Sequence, residues 1–113
     1  MNNKERDPKI KRIRELLPRG EILAQCAEEC SELAKACHKL RRVYDRTNPT
    51  PITESEAASN LVEEFADVIS CLDCLDFFES KYVMDTIKTI IDKKRERWIG
   101  RIEEERAKRE KKD

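Results

Sequence analysis

Apolar residues recur at alternating steps of three and four along two long segments of this chain. This spacing constrains the fold more than any other feature of the sequence. In residues 21–44 the spaced positions are Leu23, Cys26, Cys30, Leu33, Cys37, Leu40 and Tyr44. In residues 55–78 they are Ala58, Leu61, Phe65, Val68, Leu72 and Leu75. Such spacing predicts two helices, each with an apolar seam that packs in a helical bundle.

The remaining segments also favour helices. All four prolines precede Ile52, and Gly100 is the only glycine after that position. A short amphipathic helix is predicted at Ile10–Leu17 and a third long helix at about 83–98, after a break near 79–81. Residues 45–56, rich in proline and threonine, form a predicted loop. We therefore expect an all-α fold.

The length of the chain, 113 residues, predicts one small domain. A domain of this size buries a limited share of its surface, and a dimer would bury more. Both long helices carry a second, semi-apolar face that three helices cannot cover. We expect a homodimer with a four-helix core, or a tetramer built from two such dimers. The predicted organisation is an N-terminal segment with a short helix at 1–20, a main helical domain at 21–100 and a charged helical tail at 101–113.

Composition excludes several classes of partner. Twenty-four basic residues balance 24 acidic ones, so we expect no general nucleic-acid partner. No apolar run approaches 18 residues, and no signal peptide is apparent, which predicts a cytoplasmic protein without a membrane partner. The five cysteines are interpreted as small core residues in a reducing compartment. A zinc site remains the alternative for them; their positions are 26, 30, 37, 71 and 74.

Each of the two long helices carries an acidic cluster. Glu28, Glu29 and Glu32 lie within five residues on the first helix, and Glu64 and Asp67 follow on the second. Neighbouring like charges at spacings of three and four destabilise a helix unless positive charge lies between them. Two acidic clusters on two apolar helices are suited to a hard divalent cation.

The pattern EExxE at Glu28–Glu32, followed by ExxD at Glu64–Asp67, resembles that of the MazG-like, all-α nucleoside triphosphate pyrophosphohydrolases. A basic stretch on the next helix adds to the resemblance, because the family often carries N-x-K-x-x-R there. In this chain Asp92 stands at the position of the asparagine, and Lys94 and Arg97 match the basic residues. The resemblance covers about residues 21–98, and it implies that the helical domain at 21–100 is a MazG-like pyrophosphohydrolase domain.

The resemblance implies a reaction and a set of functional residues. Members cleave a nucleoside triphosphate to a nucleoside monophosphate and pyrophosphate with Mg²⁺, for which Mn²⁺ is a possible substitute. The implied metal ligands are Glu29, Glu32, Glu64 and Asp67. The implied catalytic residues are Glu28, as a base or water-orienting group, and Lys94 and Arg97, which would neutralise phosphate charge.

The base pocket has no motif in this sequence. His38, Tyr44, Phe77, Phe78, Tyr82 and Trp98 are candidates for stacking on a base, and each is equally interpretable as a packing residue.

Two other functions compete with this hypothesis. A ferritin-like di-iron protein needs ExxH motifs on two helices, and the chain has one histidine and no ExxH, so this class is set aside. A non-enzymatic, coiled-coil-like interaction protein is the alternative, with acidic faces that keep it soluble. Glu64 argues against it, because a charge beside the seam costs stability unless it binds something.

Overall fold

A computed structural model describes residues 7–46 and 49–112. Its helices are α1 (Pro8–Leu16), α2 (Arg19–Asp45), α3 (Glu54–Asp73) and α4 (Lys81–Lys112), with a short 3₁₀ helix at Asp76–Glu79. The described ranges contain no strand, which confirms the all-α prediction. Residues 1–6 of the predicted N-terminal segment, residues 47 and 48 of the predicted loop, and residue 113 of the tail lie outside the described residues.

The helix starts follow from local capping. Asp7 caps α1, since its side chain accepts a hydrogen bond from the Lys9 backbone N–H at 2.8 Å, and Pro8 follows at the first helical position. Thr53 caps α3 by accepting from the Glu56 N–H at 3.1 Å. These side chains satisfy donors that the first helical turn leaves without a backbone partner.

Antiparallel packing of α2 against α3 forms the main body of the fold. The buried and half-buried positions facing this contact recur at steps of three and four in both helices. On α2 they are Ile22, Cys26, Glu29, Leu33, Ala36, Leu40 and Val43; on α3 they are Ala57, Leu61, Glu64, Val68 and Cys71. Leu75, which is also buried, continues the spacing just after α3 ends. The predicted seam of α2 was therefore only partly correct, because Leu23, Cys30, Cys37 and Tyr44 are exposed.

The first helix is held at the end of this hairpin. Ile10 packs with Ile22, Cys74 and Leu75. Arg14 also donates to the backbone carbonyl of Cys74 at 3.0 Å and forms an ion pair with Glu79. A cationic donor is favourable there, because the last carbonyls of a helix lack backbone partners and carry partial negative charge. Arg14 thus fixes α1 against the C-terminal end of α3.

Two helix predictions were wrong at their ends. The second long helix was expected to continue to Phe78, but α3 ends at Asp73 and the chain continues through the 3₁₀ helix. The third long helix, expected to end at about residue 98, is longer, because α4 continues through Gly100 to Lys112. The predicted exposure of the charged tail is confirmed for residues 101–111.

The described chain divides into two compact units. One comprises the described residues up to Glu79, with α1, α2, α3 and the 3₁₀ helix; the other begins at Ser80 and contains α4. Within the described ranges, none of the helices has both the length and the apolar character that crossing a membrane requires.

Candidate metal centre

Two carboxylates of the candidate site lie within the packed contact between α2 and α3. Glu29 and Glu64 occupy positions in the two contact stripes and are half-buried, whereas Asp67, one helical turn after Glu64, is exposed. The spacing of three between Glu64 and Asp67 directs both side chains toward the same side of α3. The hairpin therefore presents carboxylates from both helices to one place.

The three carboxylates are close enough together to bind one cation. One carboxylate oxygen from each of Glu29, Glu64 and Asp67 lies within 4.8 Å of the other two. Across residues 7–46 and 49–112, no other set of three or more histidine, cysteine or acidic side chains comes together in this way. Three hard oxygen ligands from two rigid helices are suited to Mg²⁺ or Mn²⁺.

The electrostatics of the cluster are unbalanced. Partial burial of Glu64 raises the pKa of its carboxyl group, and the negative charges of Asp67, Glu29, Glu32 and Glu63 raise it further. No lysine or arginine in the described part of the chain forms an ion pair with Glu29, Glu64 or Asp67. Within residues 7–46 and 49–112, these mutually repelling carboxylates are therefore held together without a counter-ion.

A hydrogen bond from a neutral side chain orients Glu29, one member of the cluster. The side-chain amide of Gln25 donates from Nε2 to Oε1 of Glu29 at 2.8 Å. These residues are one turn apart on α2, so the helix itself sets their distance. This hydrogen bond orients Glu29 without neutralising its charge.

Glu32, the fourth predicted metal ligand, lies beside the cluster of three. Its carboxylate accepts a hydrogen bond from Lys35 Nζ at 3.3 Å, and it is still close enough to raise the pKa of Glu64. Glu28, the predicted base, is exposed on α2. The structure therefore brings together three of the four predicted ligands, with Glu32 as their neighbour.

The predicted phosphate-binding residues belong to the second unit. Lys94 and Arg97 are exposed on α4, as is Asp92. Their spacing of three places the two basic side chains on one side of the helix.

Comparisons of the chain with family models, curated proteins and solved structures found no significant match. The resemblance to the MazG-like enzymes thus rests on the motif residues alone.

The cysteines divide into two groups. Cys26 and Cys74 are buried and Cys71 is half-buried, whereas Cys30 and Cys37 are exposed. Burial raises the pKa of the Cys26, Cys71 and Cys74 thiols, so these thiols stay protonated at neutral pH in the metal-free protein. The predicted core role is confirmed for Cys26 and Cys74 and is wrong for Cys30 and Cys37 within one chain.

The candidate stacking residues are scattered along the fold. Phe78 packs against the cluster that holds α1, and its ring centroid lies 4.1 Å from that of Phe77. His38, Tyr44, Phe77, Tyr82 and Trp98 are exposed. Sequence reasoning missed the residues that line a cavity beside the carboxylates, including Ile13, Leu17, Gln25 and Ser70. The amphipathic pattern of the predicted first helix was the one available signal, and it applied only to Ile13 and Leu17.

The pKa of Glu64 predicts how the stability of the metal-free protein depends on pH. A carboxyl group with a pKa higher in the folded than in the unfolded state binds its proton more tightly when folded. Ionised Glu64 therefore disfavours folding, and this effect disappears as pH falls through its raised pKa. We expect Glu64→Gln to melt at a higher temperature than wild type at neutral pH in EDTA.

The difference in melting temperature between Glu64→Gln and wild type should shrink as pH falls from 7 toward the ordinary glutamate pKa of about 4.3. Thermal melts followed by circular dichroism measure it. Comparison with the Gln variant at each pH isolates Glu64 from the other carboxylates. A difference that stays constant across this range would show that folding does not raise the pKa of Glu64.

Proposed function

We propose that this chain is a Mg²⁺-dependent nucleoside triphosphate pyrophosphohydrolase of the MazG-like type, which hydrolyses a ribo- or deoxyribonucleoside triphosphate to the monophosphate and pyrophosphate. The observation that carries the proposal is the convergence of Glu29, Glu64 and Asp67 from two packed helices. These residues belong to the two acidic motifs of the family, and their meeting in space supports a shared role for the motifs.

The residues fit the metal that the proposal requires. Mg²⁺ binds through a small number of carboxylates and completes its octahedron with water and substrate phosphates. The raised pKa of Glu64 and the lack of an ion-pair partner for the cluster in the described residues indicate a place where a divalent cation would relieve repulsion. We assign Glu29, Glu64 and Asp67 as ligands, with Glu32 as a fourth carboxylate.

The chemistry follows from the charge of the substrate. Water attacks the α-phosphorus, the phosphoanhydride bond between the α- and β-phosphates breaks, and pyrophosphate leaves. When bound, Mg²⁺ supplies positive charge that stabilises the phosphate oxygens. Glu28 is the candidate acceptor for the proton of the attacking water. Lys94 and Arg97 are candidate partners for phosphate oxygens, arginine being suited to bidentate contact.

We also propose that the chain forms a homodimer, itself able to pair into a tetramer. Because α2 and α3 are antiparallel, the residue after each contact position lies on the same side of the hairpin in both helices. That side carries exposed apolar residues on α2, among them Leu23 and Tyr44, and on α3, among them Val62 and Phe65. A continuous apolar face of this kind marks an interaction site, and a second hairpin would complete a four-helix core.

The exposed apolar face also favours the second candidate function, a non-enzymatic helical interaction protein. The two functions differ in what they require of Glu64. An interaction protein gains nothing from a half-buried carboxylate that four neighbouring acidic residues repel, whereas a metal-dependent enzyme requires one. The enzyme is therefore the better supported proposal.

We further propose a cytoplasmic location. All five cysteines are free, as is usual for proteins of reducing compartments.

The direct test is a panel of the common ribo- and deoxyribonucleoside triphosphates, scored for pyrophosphate release with Mg²⁺, with Mn²⁺ and with EDTA. We expect metal-dependent release from at least one of them, with monophosphate formed in equal amount. Isothermal calorimetry with Mn²⁺ should also show a site on the wild-type protein. Absence of both metal binding and pyrophosphate release would leave the interaction protein as the better interpretation.

A further inference from the structure

Glu29 is held by a different kind of donor from several other acidic side chains of this protein. The carboxylates that accept a hydrogen bond from an arginine or a lysine include Glu15, Glu32, Asp76 and Glu79. Glu29 instead accepts from the uncharged amide of Gln25. An arginine or a lysine at this place would put a positive charge beside the proposed metal centre and would repel a cation. The amide holds Glu29 without that repulsion.

The hydrogen bond from Gln25 leaves Glu29 able to bind a metal ion. It joins Nε2 of Gln25 to Oε1 of Glu29 at 2.8 Å. An ionised carboxylate has about four acceptor positions on its two oxygens, so one hydrogen bond leaves the others open. One oxygen of Glu29 also lies within 4.8 Å of oxygens of Glu64 and Asp67. Glu29 can therefore be held by Gln25 and contribute to the cluster at the same time.

Glu29 has few other restraints on its orientation. It is half-buried in the contact between α2 and α3, and no lysine or arginine in the described part of the chain forms an ion pair with it. A ligand that samples several rotamers must be ordered when the metal binds, and this ordering weakens binding. Gln25 lies one turn earlier on the same helix, so its hydrogen bond orders Glu29 in advance.

We propose that Gln25 is a positioning residue for the metal centre on which the proposed function depends. It holds Glu29 in place as a ligand and, because the amide is neutral, leaves the negative charge of the cluster to the cation. Residues that hydrogen-bond to metal ligands typically contribute about 10- to 100-fold to metal affinity. The residue at position 25 therefore helps to set the affinity of the site.

The first test removes the donor. The EPR signal of free Mn²⁺, followed during a titration without nucleotide, gives the dissociation constant. We expect Gln25→Leu to raise this constant at least about tenfold. Its melting temperature in EDTA should equal that of wild type, because residue 25 is exposed and leucine is a good helix former. A purely structural role for Gln25 predicts a lower melting temperature instead.

Ser31→Leu is the matched control for this substitution. Ser31 is exposed on α2 two residues after Glu29, and this spacing places it on the opposite side of the helix. The variant adds the same leucine to the surface without removing a contact of the cluster, so it should bind Mn²⁺ as wild type does.

Gln25→Lys separates orientation from charge, and it tests the role even if Gln25→Leu does not fold. Lysine can still donate to Glu29 one turn away, but it adds a positive charge. We expect weaker Mn²⁺ binding than wild type at about 50 mM salt and recovery toward wild type at about 500 mM, because salt screens exposed charges. The loss in Gln25→Leu should persist at both concentrations. Ser31→Lys adds the same charge on the opposite side of α2 and should have a smaller effect.

The outcomes separate this inference from the function on which it rests. If wild type and Gln25→Leu bind Mn²⁺ equally well, the metal centre stands and the positioning role is overturned. If Gln25→Lys binds as weakly at high salt as at low salt, the role assigned to the neutral amide is overturned. If wild type binds no Mn²⁺, the metal centre and this inference both fail. If the variants behave as expected but no triphosphate is cleaved, this inference stands and the enzyme assignment fails.

Discussion

Replacing Asp67 by asparagine is expected to lower turnover of the preferred nucleoside triphosphate by at least about 100-fold. Asparagine keeps the shape of the side chain but removes one of the three charges that converge with Glu29 and Glu64. A bound metal ion contributes several kcal/mol to charge stabilisation in the transition state, and a loss of about 2.7 kcal/mol corresponds to 100-fold in rate. Pyrophosphate release at saturating Mg²⁺ measures the effect.

The same substitution should have the opposite effect on stability. Removing one negative charge from the cluster relieves the repulsion on Glu64, so metal-free Asp67→Asn should melt at the same or a slightly higher temperature than wild type. Mg²⁺ should stabilise wild type more than the variant, because only the intact native site binds the ion well. Loss of activity through unfolding predicts a lower melting temperature instead.

Glu63→Gln is the matched control. Glu63 is an exposed glutamate of α3, next to Glu64 in sequence, and does not belong to the cluster of three. Its removal changes the net charge by the same amount without removing a ligand, so turnover should stay within about threefold of wild type, or less than about 0.7 kcal/mol. Equal losses in Asp67→Asn and Glu63→Gln would show that general charge, and not ligation, controls activity.

The periodicity of the sequence predicted where the helices lie better than it predicted which face of each helix packs within the chain. The observed stripe of α2 passes through Ile22, Glu29, Ala36 and Val43, whereas the predicted seam passed through the position after each of these. The two stripes share Cys26, Leu33 and Leu40. Apolar spacing identifies a helix but not which apolar face meets which partner, and a helix with two such faces suits both a contact within the chain and one between chains.

The end of α3 shows a second limit of local reasoning. Apolar residues continue through Leu75 to Phe78, which suggested a longer helix. The helix instead ends at Asp73, and the Cys74 N–H bonds back to the Cys71 carbonyl. Arg14 lies about 60 positions earlier in the chain and belongs to no sequence pattern near the end of α3. It nevertheless donates hydrogen bonds to the Asp73 and Cys74 carbonyls. The position at which α3 ends therefore depends on contacts between segments that are distant in the sequence.

The acidic residues of the candidate site could be predicted from the sequence, whereas the cavity beside them could not. Glu29, Glu64 and Asp67 were recognisable because acidic residues interrupt apolar helices at a motif spacing. The cavity depends on where α1 packs, and that position is set by the contacts of Ile10 and Arg14 with residues 73–79. No spacing rule connects those segments, so no signal in the sequence indicated that Gln25 and Ser70 line this cavity.

Replacing Phe65 by aspartate is expected to convert a dimer into monomers. Light scattering at micromolar concentration should give twice the chain mass for wild type and the chain mass for the variant. Phe65 on α3 has 55% of its surface exposed, and Val62 beside it has 68%, values that a single chain does not explain for large apolar side chains so close together. The interface of a two-fold dimer uses the same patch twice.

The size of this effect follows from the buried area. Burying a phenylalanine contributes about 1.5–3 kcal/mol, and two copies contribute about 3–6 kcal/mol, so the dissociation constant of the dimer should rise by about 100- to 10,000-fold. Leu16→Asp is the matched control, because Leu16 is 60% exposed on α1 and lies outside the α2–α3 face. All three carboxylates of the cluster come from one chain, so a folded Phe65→Asp monomer should still bind Mn²⁺ if the proposed metal site is correct. A wild-type protein that scatters light as a monomer, or a Phe65→Asp variant that remains dimeric, would mean that the exposed face of α2 and α3 is not the dimer interface.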